Sequence, residues 1–300
     1  MADPDIQLFL RVVETGSFRT AAAEAKADPS SVTRRIAKLE ERLGAKLLIR
    51  SSRRSRPTEA GQAYYDGIRR IADEQVALEA EIAGLADTPQ GLLRVTAPAD
   101  FGARFVTPVV DRLLSEHPDL SVELNLGSDF ADLREANIDV AVRIGSLTDS
   151  ALIARRFGEV PRAIVVAPSY LEAADPPRRP EDLVRHPFVF YRPAPEMTLH
   201  LARGEERVTV ALSRYRVAVN SMSAFREFML SGRGMVLSPL WACEDALADG
   251  RLVRVLPDWK SPAFPLHGVF LPGPFRPAKL RVFLEAMAAQ AKADPSLSGA

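Results

Sequence analysis

The 300-residue chain has little of several features that would point to particular classes of protein. A single cysteine, Cys243, excludes an internal disulfide framework and a multi-thiolate metal site, and fits a reducing compartment. No apolar run reaches the roughly 18 residues of a membrane span, and the start has no basic segment before an apolar stretch. We therefore expect a cytoplasmic protein with no membrane partner.

Neither sign of charge is in excess, since 39 Lys and Arg balance 39 Asp and Glu. The balance hides a segregation, because residues 1–70 hold 14 basic and 9 acidic residues, a charge of +5, and the remainder carries −5. Ten basic residues lie between Lys26 and Arg56, against three acidic ones. Such a cluster indicates a phosphate-backbone binder or, as the alternative, a solvated helix face.

The first 44 residues carry the pattern of three short helices. Apolar residues recur at helical spacing over residues 6–13. Ser17 predicts the cap of a second helix, and Asp28 followed by Pro29 predicts the start of a third, which ends at Gly44. Two helices joined by a short turn, the second basic on its outer face, predict a helix-turn-helix whose recognition helix enters the major groove.

A short strand at residues 46–50 and a basic loop at 51–56 follow the third helix. A strand, loop and strand at this point would form a wing against the DNA backbone or minor groove. The cationic side chains predicted to contact DNA from here are Arg50, Arg53, Arg54 and Arg56.

The next helix is predicted from residue 58 to about residue 85. Its apolar positions alternate spacings of four and three residues, which is the rhythm of a short coiled coil and predicts a homodimer. The alternative is an amphipathic helix packed on its own domain. The seam comprises Tyr64, Ile68, Ile71, Gln75, Leu78, Ile82 and Leu85.

Several segments carry a resemblance to a known family. They are FLRVVETGSF at residues 9–18, SVTRRI at 31–36, LE at 39–40, LG at 43–44 and TEAG at 58–61. With Ala21, Ala22, Leu47 and Arg50, they resemble the LysR-type transcriptional regulators over about the first 65 residues.

Two positions depart from that family's pattern. Ala25 stands where the family tends to have leucine, and Pro29 stands where a glutamine commonly opens the recognition helix. Because the proline side chain cannot donate a hydrogen bond, base contacts are assigned to other positions. The candidates for base contacts are Ser30, Ser31, Thr33 and Arg34, and those for phosphate contacts are Arg35 and Lys38.

The resemblance implies an α+β multidomain protein. Its parts would be a winged helix-turn-helix DNA-binding domain at residues 1–60, a linker (dimerisation) helix at 58–87 and an α/β effector-binding domain, like the periplasmic binding proteins, at 91–294. The last would comprise two Rossmann-like subdomains, residues 91–160 with 267–294, and residues 161–266. The resemblance also implies a dyad-symmetric operator in double-stranded DNA, a small-molecule effector between the subdomains and a tetramer of two dimers; contact with RNA polymerase stays open.

Strand and helix patterns alternate beyond residue 91, as an α/β domain requires. Strands are predicted at residues 92–96, 120–126, 139–144, 163–167, 215–219, 235–237 and 268–271, and helices at 101–117, 130–136, 224–230 and 279–292. In open α/β sheets a ligand lies beyond the carboxyl ends of the strands, near helix N-termini. The effector-binding residues predicted on that basis are Thr96, Ala97, Pro98, Ser128, Asp129, Arg143, Gly145, Asn220, Ser221, Met222 and Ser238.

Each of those side chains also has a structural alternative. The hydroxyl groups can serve as helix caps, and Arg143 can form a salt bridge within the domain instead of pairing an anionic effector.

Catalytic motifs are missing from the sequence. The four histidines have no HExxH spacing, the G-x-S-x-G elbow is absent, and Gly232-Arg233-Gly234 is most simply a helix stop. Cys243 lies in a helical stretch and is interpreted as a buried, inert thiol. We therefore expect no enzyme activity, no metal and no cofactor, but a LysR-type transcription factor that responds to an effector. The alternative is a nonspecific DNA-binding or solute-sensing protein without operator specificity.

Overall fold

A computed structural model describes most of the chain. The described residues are 3–50, 55–82, 88–127, 133, 137–147, 151–191, 197–212, 215–273 and 276–297. The chain divides into two compact units, with the boundary between Asp87 and Thr88.

Three helices open the first unit, α1 (Pro4–Thr15), α2 (Phe18–Glu24) and α3 (Pro29–Leu43). Asp3, Ser17 and Asp28 cap their N-termini by accepting hydrogen bonds from backbone N–H groups. Gly16 and Gly44 follow α1 and α3 with a left-handed φ of 65°, which glycine adopts without steric cost. The predicted caps Ser17 and Asp28 and the predicted end of the third helix at Gly44 are confirmed.

A two-stranded wing and a long helix complete this unit. Strand β1 (Leu48–Arg50) pairs antiparallel with β2 (Ser55–Pro57), and α4 (Glu59–Ile82) follows. Tyr64 and Ile68 of α4 pack against the buried core of α1 to α3, where the rings of Phe9 and Tyr64 lie 5.6 Å apart. These two positions of the predicted coiled-coil seam therefore pack on their own unit. Ile71, the next seam position, is 57% exposed.

The second unit is a mixed α/β structure. Its strands are β3 (Gly91–Ala97), β4 (Leu120–Leu126), β5 (Val140–Ile144), β6 (Ile153–Val166), β7 (Phe188–Tyr191), β8 (Met197–Arg203), β9 (Glu206–Leu212), β10 (Tyr215–Val219), β11 (Val236–Pro239), β12 (Val253–Arg254) and β13 (Ser261–Phe270). Its α-helices are α5 (Ala99–Phe101), α6 (Thr107–Glu116), α7 (Pro168–Leu171), α8 (Met222–Leu230), α9 (Glu244–Ala248) and α10 (Ala278–Ala293). A π-helix (Gly102–Val106) joins α5 to α6, and two 3₁₀ turns cover Pro180–Arg185 and Leu240–Ala242.

Two long strands, β6 and β13, run antiparallel to each other through this unit. These strands connect two lobes of the unit. The first lobe contains β3, β4, β5 and the adjoining parts of β6 and β13, in the strand order β4-β3-β5-β13-β6, and its strands β3, β4 and β5 are parallel. In the second lobe the later half of β6 pairs with β11 and β12, and β7 pairs with β10. Backbone hydrogen bonds from Met235 to Pro187 and from Val189 to Met235, each 2.9 Å, join β7 to the β11 side of this sheet.

The predicted elements differ from the structure at several points. The predicted helix at 101–117 is divided into α5, the π-helix and α6, and the predicted strands at 163–167 and 268–271 are the ends of the longer β6 and β13. Glycine, proline and arginine interrupt the apolar alternation of β6, which hid its first half. The β8–β9 hairpin was not predicted, and the predicted helix at 130–136 lies largely outside the described residues.

Candidate functional site

The outer face of α3 presents polar and cationic side chains. Ser30, Arg34 and Lys38 are exposed, while Ser31 and Thr33 are half-buried. Val32, Ile36 and Leu39 lie on the opposite, fully buried face. Among the residues that the structure describes, no carboxylate lies within ion-pair distance of Arg34 or Lys38. These two cations are therefore available to an external anion.

Arg35 has a different environment from its neighbours on α3. Its Nε donates to Oδ1 of Asp5 at 2.5 Å, and the side chain is half-buried. Two helical turns on, Nη1 of Arg42 donates to Oδ2 of Asp3 at 2.7 Å. These ion pairs hold the recognition helix against the start of α1.

Glu40 joins the recognition helix to the wing. Its carboxylate, 4% exposed, accepts hydrogen bonds from the backbone N–H groups of Leu47 and Leu48, and from Nζ of Lys46 at 2.8 Å. Burial alone would raise the pKa of this carboxyl, but the hydrogen bonds outweigh it and hold the pKa below its usual value.

Two of the four wing arginines lie on the strands of the wing. Arg56 is an exposed residue of β2, and Arg50 ends β1. Arg53, Arg54 and the side chain of Arg50 lie outside the described part of the chain. The wing is anchored by a 2.9 Å hydrogen bond from the N–H of Ser55 to the carbonyl of Gly16, directly after α1.

The second unit contains a cavity of about 610 Å³ between its two lobes. Five of the predicted effector-binding residues line it: Pro98, Arg143, Asn220, Ser221 and Met222. Ser221 also caps α8 by accepting a hydrogen bond from the N–H of Ala224, so this hydroxyl is both a cap and a cavity residue. Burial lowers the pKa of Arg143.

The other predicted residues lie elsewhere. Thr96 and Ala97 are buried at the end of β3, and Gly145 forms a turn with φ 105°. Ser238 is fully buried and Leu237 and Pro239 line the cavity in its place, because successive side chains of β11 point to opposite faces. Ser128 and Asp129 are outside the described residues.

Several lining residues were missed by sequence reasoning. They include Asp100, Arg162, Tyr191, Met197, Trp241 and Phe264. The position of Arg162, at the predicted crossing between subdomains, was a signal that could have identified it. The others reach the cavity through packing between distant segments, which no local pattern reports.

Contacts between the lobes close one side of the cavity. Oγ of Ser223 on α8 donates to Oδ1 of Asp100 at 2.7 Å. Arg104 of the π-helix donates to the carbonyl of Trp241 at 2.7 Å and forms an ion pair with Glu244. The Trp241 ring also meets the rings of Phe101 and Phe105 edge-on, each at 5.9 Å. These contacts hold the two lobes together on this side of the cavity.

Within the described ranges, no group of three His, Cys, Asp or Glu residues is arranged to hold a metal ion. In the same ranges, no helix combines the length and apolar character that crossing a membrane requires.

Comparison with known families assigns both units. Residues 4–62 match the family described as a bacterial regulatory helix-turn-helix protein, lysR family, and residues 86–292 match the LysR substrate binding domain.

Individual relatives extend over nearly the whole chain. The HTH-type transcriptional activator AaeR of Escherichia coli is 31% identical over 94% of this chain and 91% of its own length. The Vibrio cholerae virulence activator AphB, solved at full length and described as a member of the LTTR protein family, is 30% identical with a TM-score of 0.59, covering 96% of this chain and 99% of AphB. CrgA, a LysR-type transcriptional regulator from Neisseria meningitidis, is 27% identical with a TM-score of 0.58, covering 97% and 99%.

Proposed function

Because this chain belongs to the LysR family of DNA-binding transcriptional regulators, we propose that α3 and the wing bind a dyad-symmetric operator and that the interlobe cavity binds the effector. The observation that carries the DNA part is the exposed face of α3. Ser30, Arg34 and Lys38 lie on it beside the wing, and neither cation has a carboxylate partner among the residues described.

On DNA, the side chains of α3 would divide into two roles. Arg34 is the residue best suited to a bidentate contact with a guanine edge, and Ser30, Ser31 and Thr33 extend the readout. Lys38, Arg56 and the remaining wing arginines Arg50, Arg53 and Arg54 would neutralise phosphates. Arg35 would act mainly as a positioning residue, since its Nε is engaged by Asp5.

A dimer would place two recognition helices in successive major-groove turns of the operator. The proposed dimer contact is the part of α4 beyond Ile68, where Ile71 is exposed and continues the heptad pattern. Pairing of effector-binding domains would extend the dimer to a tetramer. Acting on chromosomal DNA, the protein would work in the cytoplasm.

The proposed effector domain would comprise two subdomains, residues 91–160 with 267–294 and residues 161–266. An effector that binds the closed arrangement of the lobes better than an open one would shift the population toward closure. The Asp100–Ser223 and Arg104–Glu244 contacts would open and close with that motion. The changed angle would alter the spacing of the DNA-binding units and hence the bend imposed on the operator.

The test is binding of the purified chain to DNA upstream of its own gene and to scrambled DNA of the same length, across a salt series. We expect a specific complex whose mobility changes with effector, and a footprint with dyad symmetry. Equal and steeply salt-dependent binding to both DNAs would instead identify a nonspecific binder. Absence of binding to either at low salt would refute the DNA-binding proposal.

A further inference from the structure

Arg162 occupies a special position at the cavity. It lies near the later end of β6, paired on one side with Pro239 of β11 and on the other with Ser261 of β13, where the strands pass from one lobe to the other. Its guanidinium donates through Nε and Nη2 to the carbonyl of Pro262, at 3.0 and 2.7 Å. It also stacks on the ring of Phe264, with Cζ 3.7 Å from the ring centroid.

The guanidinium of Arg162 is partly withdrawn from water and has no compensating carboxylate among the described residues. Burial lowers the pKa of this guanidinium to about 10, a large change for a group that normally stays charged. In the part of the chain that the structure describes, no Asp or Glu lies within 4 Å of it. The Phe264 ring and one carbonyl hold the fork in place and leave donors for a further partner.

Two further features attract an anion to the same cavity. Arg143 of β5 brings a second guanidinium from the first lobe. The N-terminus of α8, whose cap Ser221 lines the cavity, adds the positive end of a helix dipole. Among the described residues that line the cavity, Asp100 is the one acidic residue. Its carboxylate already accepts a hydrogen bond from Ser223.

The rest of the cavity is apolar and partly aromatic. Its walls include Phe101, Trp241, Met197, Met222, Val160 and Leu237. The volume of about 610 Å³ lies within the range of roughly 300–1,000 Å³ typical of sites for small organic ligands. A small inorganic ion would leave these walls without contacts.

From this arrangement we infer that the effector is an organic carboxylate with a flat apolar body, whose carboxylate pairs with Arg162 and Arg143 while its body packs on the Trp241 side. The inference rests on the proposed function of the cavity as the effector site. A guanidinium fork matches the two oxygens of a carboxylate. A phosphate dianion would carry more charge into walls with few other donors, so its desolvation would be less well compensated.

Because the two arginines come from different lobes, such an anion would join the lobes. Arg143 lies on β5, before the chain passes from the first lobe to the second along β6. Arg162 lies on β6 just after that passage. The ligand would therefore gain affinity from closure, which is the condition for shifting a two-state equilibrium.

The test uses the full chain and four matched probes in isothermal titration calorimetry: 2-naphthoate, 2-naphthamide, 2-naphthyl phosphate and acetate. We expect 2-naphthoate to bind about tenfold or more tighter than the neutral amide, since charge-assisted hydrogen bonds are stronger than neutral ones. Acetate should bind weakest for lack of an apolar body. Absence of naphthoate binding, equal affinity for naphthoate and naphthamide, or tighter binding of the phosphate would overturn the inference.

Variants assign the effect to Arg162. Arg162→Gln should reduce the naphthoate affinity about tenfold and the naphthamide affinity less than about threefold. Arg162→Lys keeps a charge without the fork and should also weaken naphthoate more than naphthamide, which gives a second test if Arg162→Gln does not fold. The control is Arg185→Gln, because Arg185 is 77% exposed and pairs with Asp182 away from the cavity. An unchanged preference for naphthoate in both Arg162 variants would refute the assignment.

Operator binding by the same preparations separates the two proposals. Operator-specific binding without a preference for naphthoate refutes only the effector class. If the unmodified chain shows no preference for operator DNA over scrambled DNA, the proposed function is refuted, regardless of the affinities measured for the four probes.

Discussion

The carboxylate of Glu40 accepts a hydrogen bond from the backbone N–H of Leu47 at 2.9 Å, across seven residues of sequence. The neighbouring N–H of Leu48 donates to the same oxygen at 3.2 Å. Since Glu40 belongs to the recognition helix and Leu48 opens the wing, one buried side chain sets the distance between the two elements proposed to touch DNA.

Replacing Glu40 with Gln should loosen the start of the wing. The neutral amide is a weaker acceptor for two buried N–H groups, and a buried donor that loses its partner costs about 1–3 kcal/mol. The amides of Leu47 and Leu48 should then exchange with deuterium roughly 5- to 150-fold faster, which mass spectrometry of peptic fragments can measure. Glu41→Gln is the matched control, because Glu41 is the exposed neighbour on the same helix.

The same pair predicts a dependence on pH. The pKa of Glu40 is lowered in the folded protein, so its stabilisation is present above the unfolded pKa of about 4.3 and is lost as pH falls through the lower folded pKa. Protection of the Leu47 amide should therefore fall in acid for the unmodified chain and change less in Glu40→Gln. An identical acid dependence in both proteins would contradict this role for the carboxylate.

Gly61 should not tolerate a side chain. A Cβ at this position of α4 would lie 1.9 Å from the carbonyl oxygen of Leu47, which is backbone and cannot rotate away. We expect Gly61→Ala to destabilise the first unit by about 1–3 kcal/mol or to displace the wing, as overpacking does.

The control for that substitution lies on the same helix. A Cβ at Gly67 would meet nothing within 4 Å, so Gly67→Ala should be neutral or should stabilise the helix by about 0.5–1 kcal/mol. Exchange of backbone amides in α4 and the wing measures both variants. Equal effects of the two alanines would show that the contact with Leu47 does not matter.

Arg34 should carry sequence information on DNA. If it reads a base, Arg34→Ala costs about 1–3 kcal/mol of operator binding and relaxes the preference at one base pair. Lys38→Ala should weaken binding to all sequences alike and reduce the salt slope by about one. Fluorescence anisotropy with single-substitution operators distinguishes the two patterns. A uniform loss for Arg34→Ala would reassign that residue to a phosphate.

Cys243 should be unreactive in the folded protein. Its side chain is fully buried, burial raises its thiol pKa to about 11, and Sγ donates to the carbonyl of Pro239. Thiolate is the reactive form, so little is present at neutral pH. Ellman's reagent should label the native chain slowly and the denatured chain at once. Rapid stoichiometric labelling of the native protein would contradict the buried position.

Local chemistry predicted the first unit well. Caps and stops such as Ser17, Asp28 and Gly44 act within a few residues of their position, so they can be read directly from sequence. The roles of Glu40 and Arg35 could not be read in that way, because their partners Leu47 and Asp5 meet them only after folding.

The cavity was predicted only in outline. Strand ends correctly located Asn220 and Ser221, because topology alone brings them there. Ser238 was placed in the cavity although the alternation of β11 turns it into the core. Arg162 and Phe264 were missed because the long strands that carry them continue through both lobes.

The long strands β6 and β13 also link the side-chain orientations of the two lobes, because both strands belong to both lobes. Strand β6 runs through both lobes, but its pairing with β13 shifts register twice, between Ser261 and Phe264 and between Leu266 and His267. Within each stretch between these shifts, successive side chains point to opposite faces of the sheet. Inserting one residue within such a stretch would reverse inward and outward positions up to the next register shift, whereas inserting two would restore them. We therefore expect single-residue changes in length to be accommodated where the pairing already shifts and paired changes elsewhere in β6, which constrains how the lobes can diverge or be recombined.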